Sequence, residues 1–211
     1  MKAAITFIIL VAITASVPVL GQDKTVLDVN GKPLRIGDPY YIKPVNSDDG
    51  VWLSFFRPSL DTPCPQYAVL SGSPLISPRE PVAFFTESRQ ESGRYVYESN
   101  QLVVNFQRME DVCQGQTGYW ELGYRSDRSK GIVGTGQRNN DGNDFFKIKK
   151  SRGGYLITYS DRDIRVREYR LGEEYISYLE VGNTGNQFVV EFVPAYQRAS
   201  NQMASNGTLD A

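Results

Sequence analysis

Helical periodicity is nearly absent from this chain, and short runs dense in Val, Ile, Phe and Tyr recur instead, several of them alternating apolar with polar positions. The runs are TVLDV (25–29), YYIK (40–43), VWLSFF (51–56), QYAVL (66–70), VAFFT (82–86), RYVYE (94–98), LVVNFQ (102–107), GYWEL (118–122), DFFKIK (144–149), GYLITY (154–159), EYISYLEV (174–181) and QFVVEFV (187–193). β-Branched and aromatic residues suit a pleated, half-buried surface, so each run predicts a strand. VNGK, SDDG, SGSP, QESG, NNDG, SRGG and GNTGN separate them with turn chemistry. Many short strands between turns predict an all-β sandwich or barrel, and periodicity does not choose between the two. Residues 124–142 hold few large apolar side chains and predict a long loop. GIVGTG from Gly131 lies inside it, and without a following helix it has no phosphate role. VVNF, FFKI and VVEF recur about every 40 residues, a weak sign of repeated units.

The first 21 residues stand apart. Lys2 is basic, an apolar run extends from Ala3 to Leu20, and the small Gly21 follows, which is the layout of a cleaved secretory signal peptide. The run is long enough to compete as a membrane anchor, but Ser16, Pro18 and Gly21 weaken that reading. The expected organisation is a signal over 1–21, one domain over 22–196 and a polar, disordered tail over 197–211. No second apolar run of that length occurs, so the mature chain is expected to be soluble. Cys64 and Cys113 are the only cysteines. In a secreted chain they read as one disulfide, and the rival reading is two buried free thiols. Asn206, in NGT, is a glycosylation sequon in the polar tail.

Charge and composition then exclude chemistry. Lys and Arg number 23 against 24 acidic residues, with no basic block, so nucleic acid is not an expected partner. The chain has no histidine, which removes the Ser-His-Asp triad, the Cys-His pair and every histidine metal site. Asp48 with Asp49, and Glu173 with Glu174, are sequence neighbours on turns, and glycoside hydrolysis needs two carboxyls across a cleft. NNDGND around Asp141 lacks the ligand spacing and terminal glutamate of a calcium loop. The expectation is a protein that is not an enzyme and uses no metal and no cofactor.

Residues 26–42, VLDVNGKPLRIGDPYYI, carry a more specific pattern. Val26, Asp28, Gly31, Lys32, Leu34, Tyr40 and Ile42 fill the N-terminal signature of the plant Kunitz family, the soybean trypsin inhibitor-like proteins, which this stretch resembles. CPQYAVL at Cys64, REPVAFF, QLVVNF before Cys113, GYWEL, DFFKIKKSRGGYLITYS and QFVVEFVPA resemble further family segments, over roughly residues 25–195. The resemblance implies a β-trefoil, a six-stranded barrel capped by three hairpins with pseudo-threefold symmetry.

It also implies a function. Inhibitory members place their reactive loop between the Pro-Val-x-Phe segment and the strand before the second cysteine. Here that interval is TESRQESGRYVYES, residues 86–99. Alignment puts Arg94 and Tyr95 at the position resembling the scissile bond, with Arg89 and Gln90 as runners-up. A basic side chain there fills a pocket floored by a carboxylate, as in trypsin. The implied protein is a secreted, monomeric inhibitor of trypsin-like serine peptidases, with cysteine or aspartic peptidases as further target classes, in the apoplast or the vacuole. The alternative is a non-inhibitory storage, stress-induced or ligand-binding relative. Three departures favour that alternative. The family's loop-bracing asparagine is replaced by Ile36, Gly93 precedes Arg94, and the loop is shortened. A fourth, Ser160 at a position resembling a cysteine of the family's second disulfide, bears on local stability.

Overall fold

The computed structural model describes residues 24–45, 47–48, 50–57, 64–72, 78–86, 93–124, 131–136, 145–171 and 174–196. The two-residue periodicity becomes burial: along β1 (Pro39–Pro44), Tyr40, Ile42 and Pro44 point inward while the residues between them are half-buried. After β1 come β2 (Trp52–Phe56), β3 (Tyr67–Ser71), β4 (Val82–Phe85) and β5 (Val103–Phe106). A single helical turn, α1 (Met109–Val112), precedes β6 (Tyr119–Tyr124), β7 (Gly131–Gly136), β8 (Phe146–Ser151) and β9 (Gly154–Tyr159). The chain ends in β10 (Arg162–Leu171), β11 (Glu174–Val181), β12 (Asn186–Gln187) and β13 (Val189–Pro194).

Pairing decides between sandwich and barrel. β1 pairs with β4, β4 with β5, β8 with β9, β9 with β13, and β13 with β1. A bridge between Leu102 and Phe146 joins the start of β5 to β8 and closes the ring. The remaining long strands form the hairpins β2–β3, β6–β7 and β10–β11. Each hairpin also pairs with the other two, through Tyr67 with Gly134, Val69 with Tyr178, and Ile132 with Glu180. A six-stranded barrel with a triangle of three mutually paired hairpins is a β-trefoil. Val69, Ile132 and Tyr178, one from each hairpin, form a small apolar cluster. The main core holds Phe84, Phe106, Trp120, Phe146, Phe188 and Phe192, all fully buried. Cys64, just before β3, is disulfide-bonded to Cys113, just after α1, so the free-thiol reading is set aside.

The structure corrects four strand assignments. β7 lies inside the stretch expected to be a loop. Its glycines hid it: a β-carbon at Gly131 would strike Leu122, and one at Gly134 would come within 2.9 Å of the Gln66 carbonyl. Close packing, not solvation, keeps large side chains out of this strand. β10, ten residues long, was not expected at all, because DRDIRVREYRL carries charge on both faces. Its arginines are used on the spot: Arg165 donates to the Gly185 carbonyl at 3.0 Å, and Arg167 lies 3.6 Å from the buried Glu180. Conversely, the runs at 25–29 and 94–98 form single bridges rather than ladder strands. The recurrent VVNF, FFKI and VVEF fall on or at the start of β5, β8 and β13, all barrel strands.

Candidate functional site

β1 runs into a hairpin and β4 returns from one, so the start of β1 and the end of β4 lie at the barrel end away from the hairpins. Three extended segments meet there. Val26 N–H donates to the Val96 carbonyl at 2.9 Å, Val96 N–H to Leu34 at 2.9 Å, and Leu34 N–H to Val26 at 2.8 Å. This closed cycle of hydrogen bonds makes a three-way junction, with all three side chains fully buried. Bridges between Thr25 and Tyr97, Leu27 and Pro33, and Arg35 and Tyr95 extend it outward along its three arms.

The signature at 26–42 is the set of residues this junction needs. Asp28 Oδ1 accepts from the N–H groups of Asn30 and Lys32 at 2.8 and 2.9 Å, which closes the turn between the first two arms. Gly31 supplies φ +74° in that turn, a value side-chain-bearing residues rarely adopt. Val26, Leu34 and Ile42 fill the core. The Tyr40 hydroxyl accepts from Arg35 N–H at 3.0 Å, and burial pushes its phenol above the usual value. Tyr155, which lies outside the signature, does the same for the first arm, accepting from Leu27 N–H at 2.9 Å.

Residues 86–99 end on this junction. Gly93 N–H donates to the Ile36 carbonyl at 3.1 Å, and Ile36 N–H donates to the Arg94 carbonyl at 2.7 Å. Gly93 has φ +87°, and no atom stands within 4 Å of where its β-carbon would be, so backbone conformation rather than space requires glycine. It is a corner fixed by its own N–H, which changes its meaning from a source of flexibility. Arg94 is exposed at the surface. Tyr95 is 42% exposed, with the Arg35 guanidinium 5.9 Å from its ring centroid. Ile36 is buried and offers no side-chain donor, but its main chain makes both bonds to the loop.

The arrangement bears on the candidate scissile bonds. A serine peptidase must place the carbonyl it attacks among donors at about 2.7–3.1 Å. The Arg94 carbonyl already has such a donor in Ile36. Arg89 and Gln90 lie outside the described residues, as do Asn206, Asp49, Glu173, Asp141, the segment 1–21 and the tail 197–211. Among the described residues no cluster of His, Cys, Asp or Glu could hold a metal ion, and no helix is long and apolar enough to cross a membrane.

Two open grooves flank the junction. One, of about 480 Å³, is lined by residues that include Lys32, Arg35, Asp38, Tyr95 and Tyr196. The other, of about 800 Å³, is lined by residues that include Lys24, Leu27, Tyr97, Lys150 and Tyr155. At the position resembling the family's missing second disulfide, Ser160 and Asp161 adopt φ +46° and +63° between paired Tyr159 and Arg162. A two-residue turn with both residues left-handed closes that hairpin without a cystine. Lys147 and Lys149 bond to the Asp161 carboxylate at 3.2 and 3.5 Å and hold its carboxyl below the usual range.

Comparison with known families agrees with the signature. Residues 26–193 match the legume Kunitz family, described as trypsin and protease inhibitor. The chain belongs to the Kunitz family. Kunitz trypsin inhibitor 7 of Arabidopsis thaliana is 25% identical over 180 residues, covering 84% of this chain and 87% of that protein. The fold is similar to that of a water-soluble chlorophyll protein from Brassica oleracea with chlorophyll b, at TM-score 0.67 and 23% identity, covering 81% of this chain and 98% of that one. It is similar also to BBKI in its complex with bovine trypsin, at TM-score 0.60 and 24% identity, covering 82% and 99%. Within this Kunitz chain, what anchors the end of the interval 86–99 was not legible from residue types. Main-chain bonds from Ile36 leave no mark in the residue types. Tyr155 reaches Leu27 across 128 residues of sequence, which no local pattern reveals.

Proposed function

We propose that this Kunitz protein is a stoichiometric peptidase inhibitor that offers the chain between Thr86 and Arg94 to a trypsin-like serine peptidase. The observation that carries the reading is the two-rung ladder from Ile36 to Gly93 and Arg94, which anchors the exit of the interval where inhibitory relatives carry their reactive loop. An anchored loop loses little conformational entropy on binding, and interfaces of roughly 1,600 Å² then bind tightly through a few anchors. The occupied Arg94 carbonyl supports Arg89 with Gln90, ahead of Arg94 with Tyr95, as the bond presented to the enzyme. The protein acts after secretion and signal removal, as a monomer.

The test is a titration of trypsin with the mature protein and with its Arg89→Ala and Arg94→Ala variants. A stoichiometric loss of activity that Arg89→Ala abolishes is the expected result. Loss abolished only by Arg94→Ala restores the original alignment. Ile36 favours a second reading, a non-inhibitory relative, because the family's side-chain brace is gone. Rapid cleavage between residues 86 and 99 with trypsin left fully active selects it.

A further inference from the structure

Exposed apolar side chains are not spread evenly over this protein. Of the six large ones among the described residues, Leu27, Val29, Tyr95 and Tyr196 lie at the loop end of the barrel. They are 37%, 46%, 42% and 79% exposed. Val112 on α1 and Tyr175 on the capping hairpin are the exceptions. Leu27 and Tyr95 sit on two of the three junction arms, and both face outward because Val26 and Val96 face the core. Tyr196 forms part of the wall of the groove that Tyr95 also lines. The junction therefore shows solvent a group of apolar and aromatic side chains at the end of the barrel where the interval 86–94 rejoins it.

Charge at this end has a sign. Lys24, Lys32, Arg35 and Lys150 line the two grooves. These four cations face three carboxylates and exceed them by one; two of the three, Asp28 and Glu98, accept hydrogen bonds from backbone N–H groups and keep their charge. Asp38 is the third. The whole chain carries a formal charge of −1, so a surplus of cations here is a local property. Tyrosine and arginine beside apolar residues, with a charged surround, is the composition of interface centres.

We infer that the outer face of the junction, from Leu27 through Arg35 and Tyr95 to Tyr196, is a second docking surface that grips the target peptidase outside its active-site cleft and selects enzymes whose cleft rim is acidic and apolar. The inference rests on the inhibitor reading. The loop satisfies the cleft, and the junction face meets the rim around it. Opposite charge on that rim speeds encounter, and the apolar contacts slow release.

Anionic and cationic trypsins share one primary specificity and differ in surface charge, so they separate the two contributions. Binding of the mature protein to each is measured with wild type, Lys32→Glu, Tyr196→Ser and the remote control Tyr175→Ser. Wild type should associate with anionic trypsin at least about fivefold faster at low salt, with the difference closing as salt screens it. Lys32→Glu should erase that preference. Tyr196→Ser should weaken binding to both enzymes by about five- to tenfold, while Tyr175→Ser changes nothing. All the substituted side chains are exposed, so melting temperatures should stay together. A wild type that inhibits both trypsins alike, with Lys32→Glu and Tyr196→Ser within twofold of it, overturns this inference and leaves the inhibitor reading standing. A wild type that binds neither enzyme overturns both.

Discussion

Ile36 donates its backbone N–H to the Arg94 carbonyl at 2.7 Å, so the residue that lacks the family's polar side chain still holds the loop through its main chain. Restoring the side chain has opposing effects. Ile36 is 2% exposed and packs in the core. Ile36→Asn removes buried apolar volume and buries an amide, which should cost about 2–4 kcal/mol. Denaturant melts check the loss. If the amide turns toward residues 86–94, the trypsin titration should sharpen even as the fold weakens.

Glu80 gives an unusual pH dependence. Its carboxyl is 1% exposed, and the loss of solvent pushes it up to about 7, against the pull of Arg108 at 3.8 Å and with a push from Asp111. The unfolded chain ionises this group near 4.5, earlier than the native chain does. Native Glu80 is therefore favoured at acid pH, and stability falls as pH rises from about 4.5 to about 7. The contribution is at most about 3 kcal/mol. Thermal melts should show that Glu80→Gln is no less stable than wild type at pH 7.5 and loses its relative advantage by pH 4.5. A constant difference between the two proteins across that range would refute the assignment.

The serine at the turn between β9 and β10 is replaceable. Ser160 holds φ +46°, where asparagine sits more easily. Ser160→Asn should raise stability by a few tenths to about 1 kcal/mol, seen as a higher melting temperature with trypsin titration unchanged.

The disulfide joins residues 49 apart in sequence, Cys64 before β3 and Cys113 after α1. Cys64→Ser with Cys113→Ser should cost roughly 4 kcal/mol by the chain-entropy account. At low temperature, where the double variant stays folded, its titration endpoint should match that of wild type.

Alternation of apolar and polar residues made most barrel strands legible, because one face of each meets the core. It failed where tertiary packing set the residue type. β7 is glycine-rich because Leu122 and Gln66 crowd it, and β10 is charged because its arginines answer Glu180, Asp163 and the Gly185 carbonyl. The signature at 26–42 was legible as a resemblance, and its physical reason, a junction with a closed cycle of main-chain bonds, was not. The candidate site divided in the same way. Residue type pointed to arginines in the loop, but the orientation of the Arg94 carbonyl is set by Ile36, far away in sequence.

The cycle through Val26, Leu34 and Val96 is built from peptide groups alone. Any amino acid but proline can supply them. The sequence between Thr86 and Gly93 can therefore be rewritten residue by residue over evolutionary time while its mooring on the barrel stays intact.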